Sequence, residues 1–193
     1  MEYFKRHIDE KLREWKAAPR RKPLLIRGAR QVGKSTAVRE LGKSFKYFLE
    51  INLEKQPDFK KQFPENIDVR RTCENLSGTT GVPIIPGETL LFIDEIQMCK
   101  EAIMSLRYFK EDYPELHVIA AGSLLEFALE ELPSFGVGRI RSVYMYPFSF
   151  DEFLMAQGLD LTVTYKQKAN AANPLPELAH KELVSQLRSF YLV

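Results

Sequence analysis

The stretch that most constrains the fold of this chain is a glycine-rich segment near its amino terminus. The segment reads GARQVGKST over residues 28–36, follows the apolar run 24–26 and precedes the helix-like sequence 37–41. A strand, the pattern GxxxxGK[ST] and a helix, in that order, are the context that a phosphate-binding loop requires. The sequence therefore predicts a strand–loop–helix unit that binds a nucleoside triphosphate.

The residue types in this Walker-A loop suit phosphate binding. Gly28 and Gly33 allow the backbone to turn sharply, so that successive N–H groups form a nest for phosphate oxygens. The helix that starts at Lys34 adds the positive end of its dipole. Lys34 is predicted to reach the β- and γ-phosphates as a catalytic residue, and the Ser35 hydroxyl to bind Mg²⁺. The predicted nucleotide-binding residues are Gly28, Ala29, Arg30, Gln31, Val32, Gly33, Lys34, Ser35 and Thr36.

An apolar segment that ends in two carboxylates completes the predicted site. Residues 89–95 read TLLFIDE, which is typical of a strand buried on both faces with only its carboxyl end at solvent. Ligands bind at this end of the strands in a doubly wound sheet. Asp94 is therefore predicted to hold Mg²⁺ as the Walker-B aspartate, and Glu95 to orient or deprotonate the attacking water. A simple acidic cap on a strand is the weaker interpretation, because the phosphate-binding loop lies upstream.

Two further residues are candidates for catalysis. Ser123 follows the apolar run 117–121, where it could sense the γ-phosphate or cap the next helix. Arg139 lies in a glycine-containing loop, where it could stabilise charge on the leaving phosphate or simply be a surface residue. The residue types alone leave both alternatives open at each position.

The pattern along the chain predicts one domain, a linker and a final helix. Residues 1–158 hold an N-terminal amphipathic helix, both motifs and a capping box whose helix ends at Gly158. The polar stretch 159–176 is typical of a linker. Residues 177–193 carry an apolar stripe at helical spacing that continues to the last residues without a helix-stop signal. We therefore expect this helix to lead toward a further C-terminal domain, or to mediate self-association where the stripe is exposed.

Composition and charge exclude some classes of protein. The net charge of +2 neither supports nor excludes nucleic acid as a partner. The basic run PRRKP at 19–23 could contact nucleic acid or a phosphate, although a solvated linker is the favoured interpretation. No apolar run approaches the roughly 18 residues that span a bilayer, no signal-peptide core is present, and the cysteines lack CxxC spacing. The expected location is a reducing cytoplasm, without a membrane partner.

With both motifs placed, the chain resembles the predicted ATPases of the AAA superfamily found in bacteria and archaea. The matching segments are GARQVGKS at 28–35, IPGETLLFIDEIQ at 85–97, AAGSLLEF at 120–127 and GRI…YPFSFDEFL at 138–154. The resemblance implies ATP as the nucleotide. It also marks Lys34, Ser35, Asp94 and Glu95 as functional positions. Ser35 replaces a commoner threonine, which keeps the hydroxyl.

The resemblance also implies a fold. The expected architecture is α/β: a three-layer P-loop NTPase sandwich whose parallel five-stranded sheet has the order 5-1-4-3-2 of the ASCE type, with helices on both faces. In the family, a C-terminal domain of unknown function normally follows this core, and the present sequence does not include that domain.

ATP hydrolysis with Mg²⁺ that switches an attached effector domain is the predicted function. Because Glu95 directly follows Asp94, water is favoured as the acceptor over the substrate of a small-molecule kinase. A GTP-binding switch is disfavoured, because DxxG does not follow the strand and no NKxD motif occurs. A nucleotide-binding scaffold without hydrolysis stays open, since hydrolysis can require an arginine from elsewhere.

Overall fold

Two compact units make up the chain. The computed structural model describes residues 3–123, 125 and 138–192. The larger unit is Ile8–Tyr146, and the smaller one combines Met1–His7 with Pro147–Val193. The predicted boundary at residue 158 therefore falls inside the smaller unit. The physical reason is that the helix after Ser149 packs with the helices that follow it in the chain.

Strands and helices alternate through the larger unit. The strands are β1 Leu24–Arg27, β2 Tyr47–Asn52, β3 Thr89–Asp94, β4 His117–Ala121 and β5 Arg141–Tyr144. The helices are α1 His7–Ala17, α2 Lys34–Gly42, α3 Val69–Thr80 and α4 Lys100–Asp112, with short 3₁₀ turns at Pro57–Gln62 and Ile96–Met98.

The strands form a parallel sheet in the order β2-β3-β4-β1-β5. The predicted order 5-1-4-3-2 is therefore confirmed. In the sheet, Asn52 at the end of β2 lies beside Asp94 at the end of β3. Because the strands are parallel, the loop after β1 and the carboxyl end of β3 open at the same edge of the sheet.

Alternate residues of the central strands face opposite helical layers. On β3, Leu90 and Phe92 pack in the cluster that includes residues of α1 and α2. Their neighbours Leu91 and Ile93 pack in the cluster that includes residues of α3 and α4. All six residues of β3 are buried, which explains why its sequence is a continuous apolar run rather than an alternating one.

Local capping sets the ends of α3, a helix that the sequence predicts near 68–76. The side chain of Asp68 accepts hydrogen bonds from the backbone N–H groups of Arg70 and Arg71. These two donors have no partner inside the helix, so an aspartate at this position favours helix initiation. Gly81 ends the helix in the left-handed conformation, with φ of 73°.

The smaller unit is helical in its described part. Its helices are α5 Phe150–Ala156, α6 Asp160–Lys168 and α7 Glu177–Tyr191. The predicted capping box is present, since Ser149 and Glu152 exchange hydrogen bonds at the start of α5. The buried Glu152 carboxylate also accepts from the N–H of His7 and pairs with Arg6 at 2.9 Å.

The prediction of a linker over 159–176 is wrong where α6 lies. This helix is polar on nearly every side, and Val163 is its one buried residue, so the sequence lacks a clear apolar stripe. A small apolar cluster of Leu154, Val163 and Leu183 joins the three helices instead.

The apolar stripe of α7 packs partly within the smaller unit. Leu183 is buried, and the Phe190 ring lies 5.6 Å from that of Phe150 and 5.5 Å from that of Phe153. Tyr191 and Leu192 stay exposed. Across the described ranges of the chain, no helix combines the length and the apolar character needed to cross a membrane.

His117 is expected to make the stability of the larger unit depend on pH. Its buried imidazole meets the rings of Trp15 and Phe45 edge-on, and Nδ1 lacks a hydrogen-bond partner within the described residues. Burial lowers the pKa of His117 from 6.5 to about 4, and the charge of Arg21 contributes to the same shift. As pH falls, the unfolded state therefore binds this proton first, and stability is lost between about pH 6.5 and pH 4.

Replacement His117→Phe removes the titrating group and keeps an aromatic ring in the pocket. Urea unfolding of both proteins between pH 7 and pH 4 measures the effect. The free energy of unfolding should fall less steeply for the variant than for the wild type across this window. Parallel pH profiles would show that His117 is not the group responsible.

Candidate nucleotide-binding site

The phosphate-binding loop has the strained backbone that its glycines predict. Gly28 and Gly33 have φ of 141° and 96°, and Gln31 between them has φ of 63°. A Cβ at position 28 would lie 2.1 Å from the carbonyl oxygen of Met145, so only glycine fits beside the end of β5. The loop therefore needs glycine at position 28 both for conformation and for space.

Lys34 begins α2 and turns its side chain back over the loop. The residue is 6% exposed, and Nζ donates to the carbonyl oxygens of Gly28 at 2.9 Å and Ala29 at 2.6 Å. Burial lowers the pKa of Lys34, while the negative charges of Glu95 and Asp94 oppose that shift. In the described part of the chain its ammonium has no salt bridge to a carboxylate, so its charge is available to an anionic ligand.

Asp94 forms the centre of the acidic side of the site. Its buried Oδ2 accepts from Ser35 Oγ at 2.9 Å and from Asn52 Nδ2 at 3.1 Å, and Oδ1 accepts from the N–H of Glu95 at 3.1 Å. Burial raises the pKa of Asp94, and these hydrogen bonds oppose the rise. Three separate segments of the chain thus converge on one carboxylate.

Asn52 is a site residue that the sequence reasoning missed. Its Oδ1 accepts from the N–H groups of Glu54 at 3.1 Å and Lys55 at 2.8 Å, which fixes the amide and turns Nδ2 toward Asp94. One feature of the sequence could have indicated this role. Asn52 is a polar residue at the end of β2, the strand that pairs with β3.

Glu95 is held in an unusual backbone conformation beside a second missed residue, Gln97. Glu95 has φ of 50°, which is rare for a residue other than glycine. Its Oε2 accepts from Gln97 Nε2 at 2.6 Å and from Ser123 Oγ at 3.4 Å. A Cβ at position 122 would lie 2.2 Å from the amide oxygen of Gln97, which is too close for the two atoms to fit. Gly122 therefore leaves the space that Gln97 needs to reach Glu95.

Ser123 and Arg30 also lie at this edge of the sheet. Ser123 is 1% exposed and accepts a 3.4 Å hydrogen bond from Arg30 Nε, while its own hydroxyl contacts Glu95. Arg30 also lies 3.8 Å from the Glu54 carboxylate, with both side chains largely exposed. The geometry places Ser123 between the loop and Glu95.

Arg139 does not join this group of residues. It precedes β5, whose first residue, Arg141, pairs with Leu24 at the start of β1, so it lies at the amino edge of the sheet. There its guanidinium forms a salt bridge with Glu111. Of the two alternatives for Arg139, the contact with the leaving phosphate within one chain is therefore wrong and the surface residue is favoured, because Arg139 lies beside the start of β5, at the end of the sheet opposite the nucleotide site.

Comparison with known proteins gives a matching family and similar solved structures. Residues 20–154 match the model of a family described as an AAA domain. The solved structures include a Walker-type ATPase of Pyrococcus abyssi that is 18% identical, covering 98% of this chain and 74% of that chain, with a TM-score of 0.46. A comparison with curated proteins found no match.

The contact between Gly28 and Met145 predicts a site-specific stability effect. Gly28→Ala should lower the free energy of unfolding by at least about 2 kcal/mol, because the new Cβ adds both backbone strain and overlap. Gly78→Ala is the matched control, since Gly78 lies in α3 and a Cβ there would meet no atom within 4 Å. That change should stabilise the chain by about 0.5–1 kcal/mol. Equal urea midpoints for the two variants would contradict the proposed fit at Gly28.

Proposed function

Because the chain belongs to the AAA domain family, we propose that it binds ATP with Mg²⁺ at the carboxyl edge of its sheet and hydrolyses it. One observation carries the proposal, the 2.9 Å hydrogen bond from Ser35 Oγ to Asp94 Oδ2. This bond joins the first turn of α2 to the end of β3. The two side chains predicted to bind Mg²⁺, one from the phosphate-binding loop and one from the acidic strand end, therefore already share a contact.

The loop provides the groups that bind phosphates. Its left-handed residues favour a nest of backbone N–H groups, and α2 begins at Lys34 directly behind it. Among the residues that the structure describes, Lys34 Nζ is held only by backbone carbonyls, which are weaker partners than phosphate oxygens. Lys34 can therefore exchange these carbonyls for the β- and γ-phosphates of ATP.

The residues present also fit Mg²⁺. Ser35 and Asp94 offer a hydroxyl and a carboxylate oxygen, which are the hard donors that this ion prefers. When bound, Mg²⁺ would neutralise charge on the phosphates. The 3.1 Å hydrogen bond from Asn52 orients the Asp94 carboxylate before the metal binds.

Glu95 is the proposed general base. Both of its side-chain hydrogen bonds fall on Oε2, and among the described residues none reaches Oε1. Oε1 can therefore accept a proton from the attacking water while Gln97 holds the carboxylate through Oε2. Arg30, rather than Arg139, supplies a guanidinium at this edge of the sheet.

We also propose that hydrolysis switches an attached effector domain. The contact of Gly28 with the Met145 carbonyl supports this idea, as does the 2.8 Å hydrogen bond from the Met145 N–H to the Arg27 carbonyl. A shift of the loop on phosphate binding would move the end of β5, just before the chain enters the smaller unit at Pro147. A C-terminal effector domain, self-association and a cytoplasmic location stay predictions of the sequence.

A single pair of assays separates hydrolysis from its alternatives. Glu95→Gln preserves the shape of the side chain but removes the base, so Mg-ATP should bind with unchanged or higher affinity while phosphate release is lost. Glu74→Gln, an exposed change of the same kind on α3, is the control and should leave both properties unchanged. Phosphate release and equilibrium ATP binding are measured on each protein.

The alternatives give different results in the same assays. A nucleotide-binding scaffold would bind ATP without releasing phosphate in the wild type. A small-molecule kinase would need an added acceptor before ATP is consumed. Equal turnover in the wild type and Glu95→Gln would assign the base to another residue.

A further inference from the structure

The amino edge of the sheet, opposite the nucleotide site, carries two adjoining hollows. The first has a volume of about 310 Å³ and is lined by Arg20, Arg21, Lys22 and Arg141 together with apolar groups. The second has a volume of about 480 Å³ and shares Arg20 and Arg21 with the first, adding Lys110. We call this pair of hollows with its five basic residues the cationic groove.

The described part of the chain leaves most of the positive charge of the cationic groove without a paired carboxylate. Within the described ranges, none of its five basic side chains forms a salt bridge, whereas Arg39, Lys46 and Lys61 elsewhere do. Glu115 is the one described carboxylate that lines either hollow. In a chain with a net charge of only +2, this concentration of positive charge creates a local field that attracts anions.

The groove is built into the fold rather than formed by free side chains alone. The buried Trp15 donates from Nε1 to the carbonyl of Lys22 at 2.7 Å, and Lys110 Nζ donates to the carbonyl of Arg21 at 3.3 Å. These bonds fix the backbone that presents the basic residues. The segment 19–23 is therefore held against the sheet edge instead of moving as a solvated linker.

Arg21 has an unused donor in this groove. Its guanidinium donates to the backbone carbonyl of Glu115, but Nε is buried and has no partner among the described residues. A buried donor without an acceptor costs free energy unless a ligand supplies one. After a small shift of the Arg21 side chain, an anionic oxygen in the groove would satisfy this donor and neutralise the charge.

We propose that the cationic groove binds the sugar-phosphate backbone of nucleic acid. Two hollows that share Arg20 and Arg21 fit successive phosphates along a strand better than a single small anion, which would occupy one hollow. Trp15, the aromatic residue of the groove, is 1% exposed and so cannot stack on a base. The expected contacts are therefore to phosphates, and such contacts do not depend on the base sequence. The groove and the loop at 28–36 lie at opposite ends of β1, so a ligand at one site leaves the other site accessible.

Fluorescence anisotropy of a labelled duplex DNA of about 30 base pairs, titrated with the whole chain, tests the proposal. Each phosphate contact contributes about −0.9 to the slope of log K against log salt. With four or five contacts, affinity should fall about 150- to 500-fold between 50 and 200 mM salt. Two unrelated DNA sequences should bind equally.

Matched charge variants locate the binding surface. Arg20→Ala combined with Arg141→Ala removes two exposed cations of the groove, and should weaken binding at least about tenfold and lower the salt slope by about 2. Lys61→Ala combined with Arg107→Ala removes the same charge from exposed positions elsewhere in the larger unit, and should change affinity less than about twofold. Unchanged melting temperatures show that both double variants fold.

Several outcomes would overturn the proposal. These are no DNA binding at 50 mM salt, or an equal loss of affinity in the two double variants. Tight binding of inorganic phosphate that depends on Arg20 and Arg141, without DNA binding, would assign the groove to a small anion. Binding of vesicles containing phosphatidylserine that the groove variant abolishes, with DNA binding unaffected, would assign it to a membrane surface.

Discussion

The hydrogen bond between Ser35 and Asp94 is the contact on which the proposed site depends. It joins a loop at the start of the chain to a strand that follows much later, and both partners lie at the carboxyl edge of the sheet. The bond forms only if β1 and β3 run parallel on either side of β4. The strand order is thus what brings the two motifs together.

Neighbouring residues support this arrangement through hydrogen bonds and close packing. Asn52 holds Asp94 from β2, Gln97 holds Glu95, and Gly122 leaves room for Gln97. Each supporting residue stands at the carboxyl end of a strand or just after it. The site therefore uses backbone that the buried sheet positions, rather than long loops that would have to be ordered by the ligand.

The sequence predicted the parts whose signals are local, and missed those that depend on contacts between segments. The loop at 28–36 and the strand ending in Asp94 carry motif and hydrophobic patterns, and the resemblance supplied the strand order. Asn52 lies in no motif, and Gln97 ends the matching segment 85–97 without a role that the pattern shows, because their roles come from strand register and a one-turn helix. Arg139 was misplaced because loop composition does not tell which edge of the sheet a loop meets.

Binding of the Mg-ATP phosphates by Lys34 is the central claim about this site. Thermal unfolding with and without saturating Mg-ATP measures this binding, comparing the wild type with Lys34→Ala and with Lys43→Ala, an exposed lysine after α2. At about 100 times the Kd, the ligand adds about 2.7 kcal/mol, or roughly 5–10 °C in melting temperature. We expect this shift in the wild type and in Lys43→Ala, and its loss in Lys34→Ala. An equal shift in all three proteins would contradict the claim.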